Sequence, residues 1–272
     1  MNFSIAHLGL RLPLLTINTI ALHGDIAEQA QFLSMYEYMM RLFSDIGKHV
    51  SKVDADSPED SPDTEAVDLA AWFQRLQASG FPSHLIRLTL AAEFPMRFGR
   101  VAIASFGELD KGFSFSFDSF VKGFDRAYFQ DVAERTWTKY PFEYGYAVQL
   151  RRQGSSWHYG SAAIGDISDY YRRSPAIAMR TRWQKHWTRT KGARQLLGGV
   201  FRDIYPINFL NELHLDARLQ TQSVGAWILA DPKRGSLTRL NDKIWTWSLP
   251  HLRVRSVRRV FIEAGLLIAY RE

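Results

Sequence analysis

The chain has 272 residues, 46% of them hydrophobic and 23% charged. That suits one large domain or two small ones and excludes a collagenous, fibrous or wholly disordered chain. With no Cys at all, disulfides, thiolate catalysis, Cys-type zinc sites and iron–sulfur clusters are excluded together, and a reducing cytoplasm is the expected compartment. The net charge of +6 is unevenly spread: residues 1–136 hold 12 Lys/Arg against 18 Asp/Glu (−6), and residues 137–272 hold 22 against 10 (+12). Such asymmetry points the basic half towards an anionic partner.

No apolar run reaches the roughly 18 residues of a membrane-spanning helix, so no transmembrane segment is expected. The first 22 residues lack a basic stretch ahead of their apolar part, and Arg11 and Pro13 interrupt it, so a signal peptide is not expected. The alternation from Leu8 to Leu22 predicts a first strand or hairpin. Ile26 to Ile46 has helical spacing, with Ala30, Leu33, Tyr36, Met40 and Phe43 on one stripe, Asp25 as N-cap and Gly47 as the stop. Residues 51–65, SKVDADSPEDSPDTE, are acidic and rich in Ser and Pro. They read as a long loop that is dispensable for folding.

Ala66 to Ala78 predicts a second helix, with Leu69, Trp72, Phe73 and Leu76 on one stripe. Strands follow at Leu85–Ala92 and Val101–Phe106, with a turn over Pro95 to Arg100. In Gly112–Phe117, Phe alternates with Ser, so Phe113, Phe115 and Phe117 face one side of a sheet. Phe120 to Thr136 predicts a helix. Tyr144–Leu150 and Trp157–Ala163 read as a hairpin turning at Gln153-Gly154-Ser155. In the second half, helices are expected at Ala176–Arg189, Asn211–Leu219, Val224–Ala230 and Arg255–Ala264, the last stopped by Gly265. Asp231 to Gly235 is a turn, Leu237–Leu249 a hairpin around Asn241-Asp242, and Leu266–Tyr270 a terminal strand. This order predicts an α+β fold: a mixed, largely antiparallel sheet with packed helices, in a single domain over 1–272 or subdivided near residue 165.

No P-loop, dinucleotide fingerprint, nucleophile elbow, HExxH or EF-hand pattern occurs. The eight His are scattered, so neither a metal nor a cofactor is expected. Glu212, His214 and Asp216 form the densest polar group, but on a short helix they point to different sides. The stretch Arg202 to Leu210 packs charged, aromatic and Pro residues closely. It reads as structural, with Arg202 pairing with Asp203 and with Tyr205 and Phe209 buried. An enzymatic site between Asp203 and His214 stays open as a lesser reading.

The sharpest electrostatic feature is a run with no acid between Asp169 and Asp203. Arg172, Arg173, Arg180, Arg182, Lys185, Arg189, Lys191 and Arg194 are its cations, and Trp183 and Trp187 stand four apart, sharing one face of a helix. Trp and Arg are favoured anchors of protein interfaces, so an acidic protein partner is the expected ligand of these ten residues. Nucleic acid is the alternative, through phosphate contacts and base stacking, an interfacial membrane helix would need the same pattern, and the plain structural reading has both Trp in the core and the Arg solvated. Arg253, Arg255, Arg258 and Arg259 form a second basic group around a helix whose apolar side is Val254, Val257, Phe261 and Ile262.

The layout resembles that of bacterial α+β immunity proteins associated with type VI secretion effectors. The resemblance rests on the initial strand and helix, the variable loop, WFQRLQ at Trp72–Gln77 and YGYA at Tyr144–Ala147, and covers roughly residues 5–165. It implies a non-enzymatic protein that occludes a protein partner, and it carries over no catalytic residue. The basic second half and RDIYPINFL depart from that pattern.

Overall fold

A computed structural model describes residues 16–24, 30–50, 52–56, 78, 87–94, 97–105, 111–119, 122–151 and 198–267. β1 (Thr16–Gly24) is followed by α1 (Ala30–Asp45), β2 (Lys52–Asp56), β3 (Arg87–Phe94), β4 (Arg97–Ser105), β5 (Lys111–Asp118), α2 (Arg126–Trp137) and β6 (Phe142–Arg151). The C-terminal part adds β7 (Ile207–Leu210), α3 (Glu212–Asp216), β8 (Arg218–Leu219), β9 (Gln222–Ser223), α4 (Val224–Leu229), β10 (Ser236–Arg239), β11 (Trp245–Ser248) and α5 (Val254–Glu263). Among the described residues, nine strands form one sheet in the order β10-β11-β7-β6-β1-β5-β4-β3-β2, and β8 and β9 form a separate ribbon. Every strand pair in that sheet is antiparallel. The expected α+β fold is thus the observed one, and no described helix is long and apolar enough to cross a membrane.

β1 lies at the middle of the sheet. It pairs with β5 from Ile17↔Asp118 to Gly24↔Lys111 and with β6 from Thr16↔Arg151 to Gly24↔Phe142. All its residues from Ile17 to Gly24 are buried. The register slips between His23 and Gly24, where the backbone of Pro141 and Phe142 closes in. A Cβ on Gly24 would lie 2.3 Å from the Pro141 carbonyl oxygen and 2.5 Å from Phe142 Cα, so only glycine fits this bulge.

The alternation of the strands sorts two cores onto opposite faces of the sheet. One face carries Ile20, Leu22, Phe113, Phe115, Phe117, Phe142, Ala147, Ile207 and Phe209, which pack with Met35, Met39, Leu42 and Phe43 of α1 and Phe129 and Val132 of α2. The three Phe of β5 are fully buried on this side, as their spacing predicts. The other face carries Ala21, Tyr144, Tyr146, Leu210 and Trp247, covered by Val224, Trp227 and Ile228 of α4 and Val254, Val257 and Phe261 of α5.

Both expected glycine stops are found. After α1, Gly47 adopts φ 63°, its N–H donates to Ser44 O at 2.9 Å, and the Lys48 N–H donates to Phe43 O at 3.0 Å. After α5, Gly265 adopts φ 67°, with Gly265 N to Ile262 O at 2.9 Å and Leu266 N to Phe261 O at 3.0 Å. This paired closure satisfies carbonyls that the last turn leaves open. The first stop also delivers Lys48 to Asp118, in an ion pair of 2.7 Å with side chains 5% and 6% exposed.

Several expectations need correction. The acidic stretch is not loop throughout: Lys52–Asp56 is an edge strand on β3, with Lys52↔Ala91 and Asp56↔Arg87. The turn expected over Pro95–Arg100 shrinks to two residues, because Phe94 pairs with Arg97. The helix expected from Phe120 starts at Arg126, where Asp125 accepts from the Ala127 N–H at 2.9 Å. Over Tyr144–Ala147 the neighbour of β6 opposite β1 is β7, from Tyr144↔Leu210 to Ala147↔Ile207. The partner expected for that hairpin, Trp157–Ala163, lies outside the described residues, as do the helices expected over Ala66–Ala78, apart from Ala78, and over Ala176–Arg189. The terminal strand appears as one parallel bridge, Phe201↔Leu267; residues 268–272 lie outside the described set. The helix expected over Asn211–Leu219 stops at Asp216, and Arg218–Leu219 turns into β8 of the small ribbon, while the helix at 224–229 and the hairpin around Asn241-Asp242 stand as expected.

Replacing Gly24 by Ala forces the Pro141–Phe142 backbone away from β1. The expected loss is about 2–3 kcal/mol, the cost of overpacking a closed site, measured by urea unfolding against the wild-type chain.

Candidate functional site

Two regions qualify by sequence: the basic run from Arg172 to Arg194, and the stretch from Arg202 to His214. Arg172, Arg173, Arg180, Arg182, Trp183, Lys185, Trp187, Arg189, Lys191 and Arg194 all lie outside the described residues. The second region is described throughout.

Pro206 breaks the chain ahead of β7, and Asn208 closes the resulting turn. Its side-chain oxygen accepts the Tyr205 N–H at 3.1 Å, and its amide donates to Tyr205 O at 2.7 Å. One fully buried amide thus satisfies both backbone groups of Tyr205. The turn stacks the Tyr205 ring on Tyr146, with centroids 4.0 Å apart and planes 12° apart. Tyr146 is the first of two β6 tyrosines on this face. The second, Tyr144, stacks on His214 at 4.9 Å and 14°.

His214 sits in the first turn of α3. Its backbone N–H donates to the N-cap side chain, Asn211 Oδ1, at 3.1 Å, and its Nδ1 lies 2.6 Å from the same oxygen. An amide oxygen only accepts, so Nδ1 carries the proton. Glu212 and Asp216 point to solvent while His214 is buried, the outward and inward split that the spacing predicts. No group of three or more His, Cys, Asp or Glu that could hold a metal occurs among the described residues.

Asp203 is the buried charge of the region, 1% exposed. Its partner is not Arg202 but Arg258 of α5: Arg258 Nε donates to Asp203 Oδ1 at 2.6 Å, and the Ile204 N–H donates to the same oxygen at 2.8 Å. Arg258 also donates to Ile204 O at 3.1 Å. Burial pushes the Asp203 carboxyl above its usual range, and the Arg258 cation and the Ile204 N–H pull against that rise. Arg202 turns the other way. Its guanidinium donates to the Tyr146 hydroxyl, and its backbone N–H donates to the Tyr144 hydroxyl at 3.2 Å. Burial, then the neighbouring Tyr205, raise the Tyr144 phenol well above its ordinary range, so it is neutral at any physiological pH.

These groups are sealed from solvent: Tyr144, Asn208 and His214 are fully buried and Arg202 is 5% exposed. In the described geometry the polar groups of Asp203–His214 bond to the turns and helices around them and act as a strut. What it holds is α5. Phe261 of α5 meets the rings of Phe201 at 5.1 Å, Trp227 at 5.7 Å and Trp247 at 5.6 Å. Arg258 fixes the same helix from the side. The opposite side of α5 presents Arg255 and Arg259 to solvent, with Arg253 just ahead of them. Of the second basic group, three members are thus exposed, and Arg258 is the structural exception that its sequence position gave no means of singling out.

No protein-family model matches the chain, and no curated protein matches it. Among solved structures, the chain is similar to the Pseudomonas aeruginosa T6SS protein PA0821, with a TM-score of 0.57 and 11% identity over 93% of this chain and 77% of that one. At that identity the likeness is one of fold. A second match is to the complex of the toxic C-terminal tip of CdiA from Pseudomonas aeruginosa with immune protein, at a TM-score of 0.25 and 12% identity, over 51% of this chain and 88% of that one. That likeness is too slight to carry an argument.

Arg258→Met leaves the Asp203 carboxylate buried without its cation. The expected loss is about 2–3 kcal/mol at neutral pH, below the full cost of breaking a sealed pair because Arg258 is partly exposed. The variant raises the folded carboxyl pKa further above its unfolded value. Its deficit is therefore small below the unfolded carboxyl range, grows as pH rises, and is complete above the folded pKa. Urea unfolding from pH 4 to pH 8 measures this, and Asp203→Asn in the Arg258→Met background should restore part of the loss.

Proposed function

We propose that this chain is a non-enzymatic bacterial binding protein of the immunity or defence kind, a single cytoplasmic α+β domain that docks an acidic protein partner through its basic C-terminal half. The observation that carries the reading is the fold shared with a T6SS protein over 93% of the chain, joined to the +12 balance of residues 137–272 (22 Lys/Arg against 10 Asp/Glu). A protein that acts by occlusion needs a rigid scaffold and a charged face, and no aligned catalytic groups. The described core supplies rigidity, since its buried polar side chains are turned to holding turns and helices in place. On this reading Arg172, Arg173, Arg180, Arg182, Lys185, Arg189, Lys191 and Arg194 supply charge to the interface, and Trp183 and Trp187 supply its anchors.

The test is to produce the chain together with the product of its neighbouring gene. The expected result is a complex of defined stoichiometry by light scattering, lost when Arg182, Lys185 and Arg189 are changed to Glu while thermal unfolding moves by no more than about 5 °C, since three solvated charges contribute under about 1 kcal/mol each. A folded triple variant that keeps its partner removes the basic run from the interface. Should the wild-type chain instead bind single-stranded oligonucleotides, with a log–log salt slope of about −0.7 per neutralised phosphate, the partner is nucleic acid and the immunity reading fails.

A further inference from the structure

We infer that the exposed side of α5, together with the short 3₁₀ turn before it, is a docking face for an acidic protein segment that carries an apolar side chain. The inference rests on the protein-binding reading above and assigns it a second, independent surface. Leu252 in the 3₁₀ turn His251–Arg253 is 92% exposed, against 70% for Leu229 and 55% for Leu213, the other large apolar side chains exposed among the described residues. Arg253, Arg255 and Arg259 follow it in the chain, all exposed. Leu252, Arg255 and Arg259 are spaced by three and four residues, the spacing that sets side chains on one side of a helix. Among the described residues, no carboxylate forms an ion pair with Arg253, Arg255 or Arg259.

The charges are also set against the helix that bears them. No acidic residue lies in the first turn of α5, and no side chain caps its N-terminus, so Arg253 and Arg255 sit at the positive end of the helix dipole, where cations are disfavoured. A carboxylate-bearing partner relieves that mismatch. Guanidinium groups pair with carboxylates through two parallel hydrogen bonds. The face is held before the partner arrives: Arg258 ties α5 to Asp203 and to Ile204 O, Phe261 is fully buried, and the Leu249 N–H anchors the preceding segment to Pro206 O at 2.8 Å. A surface fixed in this way gives up little freedom on binding.

The observations favour a protein over nucleic acid because the described part of this face carries no exposed Trp, Tyr or Phe, and the single His251 imidazole beside Leu252 gives no platform on which successive bases could stack. One leucine on a short helix also falls well below the apolar area of an interfacial membrane helix.

The probe is a fluorescein-labelled peptide of about 12 residues, Glu and Asp flanking a central Leu-Leu pair, titrated with the full chain by anisotropy in physiological salt of about 0.15 M. The expected result is saturable binding that weakens at least about tenfold in R253E/R255E/R259E and at least about threefold in L252D. A control reversing exposed cations elsewhere, R218E/K233E/K243E, should keep the wild-type affinity. Far-UV circular dichroism verifies that each variant is folded. The assignment is overturned by a wild-type chain that does not bind the peptide, by a control that loses as much as the α5 variant, by L252D binding like wild type, or by an oligonucleotide of equal length binding more tightly than the peptide. The failure is distinguishable from that of the wider reading: if the neighbouring gene product still binds the R253E/R255E/R259E protein as tightly as wild type, this face is wrong and the protein-binding role stands.

Discussion

Both cores depend on one strand being closed on every side. β1 is hydrogen-bonded along both edges, to β5 and to β6, and buried on both faces from Ile17 to Gly24. Its even and odd residues therefore serve different cores. Ile20 and Leu22 enter the aliphatic and phenylalanine-rich core under α1 and α2. Ala21 enters the tyrosine- and tryptophan-rich core under α4 and α5. A slip of one residue would exchange the two sets, and the tight fit of Gly24 against Pro141 and Phe142 opposes such a slip.

The two cores solve the burial problem in different ways. The first is rich in Phe, Met and Leu, the buried hydroxyls of Tyr38, Thr136 and Tyr140 bond mainly to backbone carbonyls, and the buried Lys48–Asp118 pair ties the end of α1 to β5. The second admits polar groups and satisfies them locally. Asn208 bonds both backbone groups of Tyr205, Asn211 caps α3 and holds His214, and Asp203 joins a backbone N–H to Arg258. Buried polar groups are costly unless paired, and each pairing here also fixes a direction. Together they set the orientation of α5 and thereby of the arginines it presents to solvent.

Features written in local chemistry were legible in the sequence. Gly47 and Gly265 end helices because they alone take positive φ there without strain. The alternation in β5 names its buried side because a strand has period two. The pairings were not legible, since one sequence carries no distances. Asp203 has Arg202 beside it in the chain, yet its partner is Arg258, 55 residues on. β6 meets β7 some 60 residues later. Lys52–Asp56 was hidden for another reason: an edge strand needs little apolar character, and charge on it guards against pairing with other chains. Of the candidate site, the sequence offered the basic character of α5 but no means of separating the structural Arg258 from its exposed neighbours.

The central place of β1 has a consequence for how the protein is made. β1 is the first described element to leave the ribosome, while its neighbours begin at Lys111 and Phe142. At about 5–20 residues per second, the second neighbour arrives roughly 6–24 s after Gly24. Until β5 emerges, roughly 4–17 s after Gly24, the strand has both edges open, and until β6 follows it has one; its contacts, once made, close long loops, which slows folding. The nascent chain is therefore open to aggregation at the very segment that later holds both cores together, and shielding of that strand until β6 emerges favours the folded protein.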